Sequence, residues 1–136
     1  IKNAKQNNYI KFDEIIFLTN SEAEMVKYFR NAFLSTKVSF CNEIYSFCKA
    51  KNINYDNVSK VAAADERINI SHTNVPGHDG KLGFGGTCFP KDLNGILSEF
   101  EKINLKSYIL NSVKFRNENI DRNDKDWELK VGRSII

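Results

Sequence analysis

The sequence predicts a mainly α fold organised around one long helix, and three features carry that prediction. From Ser21 to Lys51 no glycine or proline interrupts the chain, and apolar residues fall at Val26, Phe29, Phe33, Phe40, Ile44 and Phe47, the spacing of one helix face. Two later stretches, "KDLNGILSEFEKI" and "KSYILNSVKFRNENIDRN", read as shorter helices. Ahead of them, five of the seven glycines, both histidines and Pro76 fall in the aperiodic run 65–87.

Taken in order, "DEIIFLTNS" (Asp13 to Ser21) has the apolar, β-branched run of a buried strand leaving a sheet. "SEAE" then offers a helix start in which Ser21 caps and Glu24 reaches back. The helix that follows is about 30 residues, or roughly 45 Å long. So aromatic a face predicts burial against several other elements. Asn52 to Asn54 break it, and a short helix follows from Asp56 to Ala64. The run 65–87 is then a long loop, of the length that in compact domains tends to be functional. Pro90 suits the first turn of a helix that runs to Ile103, and a last helix spans Lys106 to Arg122. The tail "NDKDWELKVGRSII" reads as a charged linker and the opening of a strand. A chain that begins with Ile and ends on an apolar run is expected to be a segment of a longer protein.

The 136 residues suffice for one domain with a core, and 41% apolar with 27% charged residues argues against disorder. A net charge of +3, from 20 basic and 17 acidic residues without a long run of one sign, is too mild to argue for nucleic acid or an anionic membrane. No apolar run has the length of a membrane span and no leader pattern is visible, so the sequence reads as cytoplasmic. Cys41 and Cys48, two helical turns or roughly 10 Å apart, are too distant for a disulfide and read as small buried side chains.

Chemistry concentrates in "GKLGFGGTCFPKDLNGI", Gly80 to Ile96. A cysteine directly before a helix meets unpaired N–H groups and the positive end of the helix dipole, which favour its thiolate. Glycines upstream let backbone approach a ligand, Lys91 adds positive charge, and Asp92 returns to the side of Cys88 after four residues. The plainer alternative is a glycine turn with an inert thiol. The run is neither a Walker loop nor a dinucleotide fingerprint, and His72, His78 and Cys88 match no common zinc spacing. On the long helix Lys27 and Asn31 share a face beside the aromatic stripe, with Asn42 and Glu43 further along, in the pattern of a solvated face.

Together, "NSEAEMVKYFRNAFLSTKVSFCNEI", "DERI" and "GFGGTCFPKDL" resemble the middle of the nucleotide-sugar dehydrogenases, above all those acting on UDP-glucose. The resemblance covers about Phe17 to Leu97, and "DWELKVGR" is similar to the family's entry into its third domain. It implies that residues 1–20 end an NAD-binding Rossmann domain, 21–123 form a central helical dimerisation domain carrying the catalytic cysteine, and 124–136 open a nucleotide-binding domain. The parent would then be a three-domain α/β enzyme that oxidises a sugar's primary alcohol twice, with two NAD and a water, to a uronic acid. The segment alone is expected to be inactive.

By motif position the resemblance makes Cys88 the nucleophile that traps the aldehyde. It gives Lys27 and Asn31 the reacting oxygen and Asp92 the hydrolytic water. Asp79, Gly80, Lys81, Leu82, Gly83, Phe84 and Gly85 align with the nucleotide-sugar loop. Cys88, Phe89, Pro90 and Lys91 align with a stretch that touches NAD, and Arg67 with an arginine that reaches the substrate of the neighbouring subunit in a homodimer. "NVPGHDGK" departs from shorter versions of the loop, which leaves Asn74, Pro76 and His78 without an assigned contact. A GDP-mannose dehydrogenase, and a helical dimerisation module without catalysis, are the alternatives.

Overall fold

The structure, a computed structural model, describes residues 2–10 and 13–128. Its regular structure among the described residues is all helical, with α1 Lys2–Gln6, α2 Asn20–Ala50, α3 Tyr55–Ala62, α4 Cys88–Lys102 and α5 Tyr108–Arg116, the last continuing into a π-turn Asn117–Asp121. Among the described residues no strand forms. The strand expected over Asp13 to Ser21 is therefore corrected. Residues 13–19 have no regular structure, Ile15, Ile16, Phe17 and Leu18 are exposed, and no neighbouring strand is present to pair with their backbone. The C-terminal strand expected at "VGRSII" lies outside the described residues.

The long helix begins two residues earlier in the chain than expected. Thr19, not Ser21, is the cap: its backbone N–H donates to Glu22 Oε2 at 2.7 Å, and Glu22 N–H donates to Thr19 Oγ1 at 3.3 Å. Both "TNSE" and "SEAE" satisfy the capping-box spacing, and the extended backbone of Thr19 decides between them.

The buried face of α2 is not the aromatic one. Ala32, Ser35, Ser39, Cys41, Asn42 and Cys48 point inward, while Phe29, Phe33, Phe40 and Phe47 are each more than half exposed. Small side chains on the inner face let α4 approach closely. A Cβ on Gly95 of α4 would stand 2.9 Å from the Tyr28 ring, so any larger residue there would force that ring to shift. The polar groups this buries are largely satisfied within the helix. Ser35 Oγ donates to Asn31 O (2.7 Å), Thr36 Oγ1 to Ala32 O (2.8 Å) and Asn42 Nδ2 to Val38 O (2.8 Å).

Two apolar clusters flank this seam. Cys41, Cys48, Tyr55 and Val75 pack with Leu82 between α2, α3 and the loop; Phe84, Leu93, Leu97 and Val113 pack between α2, α4 and α5. The expected burial of both helix cysteines holds. Tyr55 is anchored by its hydroxyl donating to Thr73 O at 2.7 Å, and burial pushes its phenol pKa up.

The last helix is shorter than expected. It leaves α-helical register at Asn117 and closes with Arg122 N–H donating to Asn117 O at 2.8 Å, a bond spanning five residues. The reason lies across the interface, where the Asn117 side chain is bound to the backbone of Phe84.

Candidate functional site

Cys88 is the first residue of α4, and its side chain is exposed. Thr87 before it supplies no side-chain cap, so the first N–H groups of α4 remain free beside the thiol. One turn on, Asp92 is buried against α2. Its carboxylate accepts from Asn31 Nδ2 at 2.5 Å, and Lys27 Nζ stands 3.4 Å and Lys91 Nζ 3.9 Å from Oδ1. Residues four apart on a helix have Cβ atoms about 5–6 Å apart, which places this polar group next to the thiol. Two ammonium groups around one carboxylate leave the surroundings net positive, while Lys27 and Asn31 each retain an N–H for a further acceptor. The structure thus brings Lys27, Asn31, Asp92 and Lys91 together from two helices, one helical turn along α4 from Cys88.

Cys88 also opens onto a cleft of about 580 Å³, whose lining includes the loop residues Gly83, Phe84, Gly85, Gly86 and Thr87 together with His72, Asn74, His78, Asp79 and Arg122. Lys27, Asn31 and Asp92 do not line it. The ring of Phe89 rests edge-on to Phe84, with centroids 6.1 Å apart, and 5.6 Å from His72. Burial and the nearby charges of Lys37 and His78 lower the pKa of His72.

The loop residues divide by role. Gly80 has φ +74 and is exposed, while Leu82 packs into the α2–α3 core and Phe84 is buried. Asp79 accepts from Arg122 Nη2 at 2.6 Å, and Lys81 pairs with Asp124 (2.6 Å) and Asp126 (3.0 Å). Burial pushes the Asp79 carboxyl up, but the Arg122 guanidinium and the Lys81 N–H outweigh it and the net shift is downward. Gly83 and Gly85 offer backbone alone. Of the α4 start, Phe89 is half-buried, Lys91 is exposed and Pro90 is buried.

Arg67 is not brought to this cleft. Its guanidinium pairs with Asp65 at 2.5 Å, and the residue borders a separate apolar groove with Phe33, Phe40 and Ile44. Asn42 corrects the solvated-face reading: it is buried, and its Oδ1 accepts from Gly83 N–H at 3.1 Å. Asn117 and Arg122 were not singled out in the sequence. They stand five residues apart, a spacing no helix-face pattern selects, whereas Asn42 lies about three turns beyond Asn31 and so on the same face.

Among the described residues no cluster of three His, Cys, Asp or Glu side chains could hold a metal, and no helix is long and apolar enough to cross a membrane.

Residues 21–119 match the UDP-glucose/GDP-mannose dehydrogenase family, central domain. The chain is similar to a UDP-glucose 6-dehydrogenase of Pseudomonas aeruginosa, 35% identical over 105 residues, which are 77% of this chain and 22% of that protein. It is similar also to a UDP-glucose 6-dehydrogenase of Campylobacter jejuni, 34% identical over 103 residues, 76% of this chain and 24% of the relative. A UDP-glucose 6-dehydrogenase of Bacillus subtilis is 39% identical over 87 residues, 63% of this chain and 18% of its own length. The chain thus spans less than a quarter of the length of these relatives. With the family match covering most of its helices, the chain belongs to the UDP-glucose/GDP-mannose dehydrogenase family, within the central domain.

Proposed function

We propose that this chain is the central segment of an NAD-dependent UDP-glucose 6-dehydrogenase, in which Cys88 carries the intermediate between two oxidations. One observation carries the reading: Lys27 and Asn31 converge on Asp92 one helical turn from the exposed Cys88. Residues 1–20 would close a preceding Rossmann domain, 21–123 form the central domain, and 124–136 lead into a nucleotide-binding domain.

In this scheme the sugar's C6 loses a hydride to NAD and its hydroxyl a proton to a base. The Cys88 thiolate then adds to the aldehyde carbon, forming a C–S bond and placing negative charge on oxygen. The spare N–H groups of Lys27 and Asn31 stabilise that charge as it develops. A second oxidation at the same carbon, its hydride going to the bound cofactor, would give a thioester. Water oriented by Asp92 adds, the C–S bond breaks, and the thiolate leaves with uronate as the product. Holding the aldehyde covalently prevents its escape.

The cleft beside Cys88 suits the sugar nucleotide, with Asp79 and the backbone of Gly83 to Gly85 in its lining and Gly80 and Lys81 in the same loop. Leu82 and Phe84 support the loop from the core side, since their side chains are turned into the packing. NAD, when bound, accepts the hydrides. This chain's share in holding it is an edge: Cys88, Phe89 and Lys91 beside free N–H groups fit that role, while Pro90 is buried and packs inward. Two copies would pair through the exposed phenylalanines of α2, which puts Arg67 within reach of the other copy's site. The enzyme is read as cytoplasmic.

The test is NADH release by the parent protein with UDP-glucose, GDP-mannose and UDP-galactose. Two NADH per UDP-glucose is the expected result. Cys88→Ser should stop turnover or stall it on a covalent adduct, and full activity in that variant would refute the nucleophile assignment.

A further inference from the structure

Three side chains from two distant stretches of the chain, one on α2 and two at the π-turn, converge on the backbone of the glycine loop. Asn42 Oδ1 accepts from Gly83 N–H at 3.1 Å; Asn117 Oδ1 accepts from Phe84 N–H at 2.8 Å, and Asn117 Nδ2 donates to Phe84 O at 2.9 Å. Both amides are buried, so water offers no substitute partner and loss of these bonds is costly. Next along the loop, the Arg122 guanidinium lies so close that a Cβ on Gly85 would stand 2.6 Å from its Cζ. Arg122 is itself held, donating through Nη2 to Asp79 at 2.6 Å and through Nε to Asp126 at 2.8 Å.

The π-turn explains how one short segment reaches two successive loop residues. In an α-helix, residues five apart are separated by about 140° around the axis. The bond from Arg122 N–H to Asn117 O closes the wider turn in five residues, so the two side chains face the loop together. Gly83 and Gly85 answer them with bare backbone, where a Cβ would strike Asn117 and Arg122 respectively.

We propose that Asn42, Asn117 and Arg122 are positioning residues that preset the Gly83–Gly85 backbone as a fixed wall for the nucleotide sugar. The inference rests on the nucleotide-sugar reading of the cleft. None of the three need touch the reacting atoms; the backbone they hold does the binding, already ordered before the ligand arrives.

The test uses the full-length parent with Asn117→Asp and, as an independent second variant, Arg122→Lys. Asn117→Asp can accept from Phe84 N–H but sets a carboxylate against Phe84 O. Arg122→Lys keeps the charge and loses the fork that joins Asp79 to Asp126. In each folded variant the KM for UDP-glucose should rise about tenfold, kcat should fall by less than KM rises, and the KM for NAD should stay within about twofold. Deuterium exchange of the peptide spanning Gly80 to Cys88 should quicken by about tenfold. Faster exchange with an unchanged KM for UDP-glucose, or a parallel decline of every constant, overturns the positioning role. Unchanged exchange in both variants overturns the clamp itself. A wild-type parent that is inert towards every nucleotide sugar overturns the underlying reading of the cleft, and the exchange result still decides the clamp.

Discussion

Replacing Gly83 with alanine tests the tightest point of the site. Gly83 has φ +66, and a Cβ there would stand 2.3 Å from Asn117 Oδ1 and 3.0 Å from Asp121 Cβ. The left-handed backbone alone costs a non-glycine residue about 1–2 kcal/mol. The clash adds to this, since Asn117 must withdraw and leave Phe84 N–H, Phe84 O and its own amide without partners, at about 1–3 kcal/mol. Gly83→Ala should therefore lose about 2–5 kcal/mol of stability. Gly80→Ala is the matched control, because Gly80 has φ +74 and nothing within 4 Å of the added Cβ. It should lose only the backbone share, about 1–2 kcal/mol. Urea unfolding followed by far-ultraviolet circular dichroism separates the two, and with a slope of about 2 kcal/mol/M their midpoints should differ by about 1 M. Equal midpoints would refute the reasoning, since the clash with Asn117 would then carry no cost.

Two further outcomes follow from features outside that loop. Arg122, with Lys81, holds the Asp126 carboxyl well below the usual carboxylate range. A depressed folded-state pKa means stability that is present above about pH 4 and lost as pH falls through the folded value, so Arg122→Gln should flatten the acid limb of a denaturation midpoint plotted against pH. An acid limb identical to wild type would remove this pair from the account. On the other face of α2, Phe29 and Phe33 stack in parallel at 6.5 Å and are exposed. If two copies pair through this face as proposed, the parent protein should sediment as a dimer and Phe33→Glu as a monomer of unchanged helicity; a variant that stays dimeric would move the interface elsewhere.

Long-period signals in the sequence translated well into structure, and single-residue decisions did less well. The uninterrupted run behind α2 gave its length to within a residue or two, because helix formation there depends on many weak preferences acting together. Which face turns inward was misjudged, since apolar periodicity identifies a face that avoids water without naming what covers it. Serine, alanine and asparagine face inward here because α4 needs close approach more than it needs bulk. The apolar run 13–19 carries strand character with no partner strand among the described residues, and local preference cannot supply one. At the site, helical spacing linked Asp92 to Cys88, whereas Lys27 and Asn31 read by spacing as a solvated face and were joined to them only by the family resemblance. Asn117 and Arg122 were not legible, because their shared direction depends on a π-turn that no three-and-four pattern encodes. Arg67 was singled out, and the fold sets it by another groove.

Helix α2 presents Asn31 to Asp92 and Asn42 to Gly83 along one line, eleven residues or about three turns apart. That spacing acts as a ruler. One residue inserted or deleted between the two asparagines would swing everything beyond it by about 100°, aiming Asn42 at empty space while Asn31 kept its carboxylate. The stretch between Asn31 and Asn42 can change its letters but not its count.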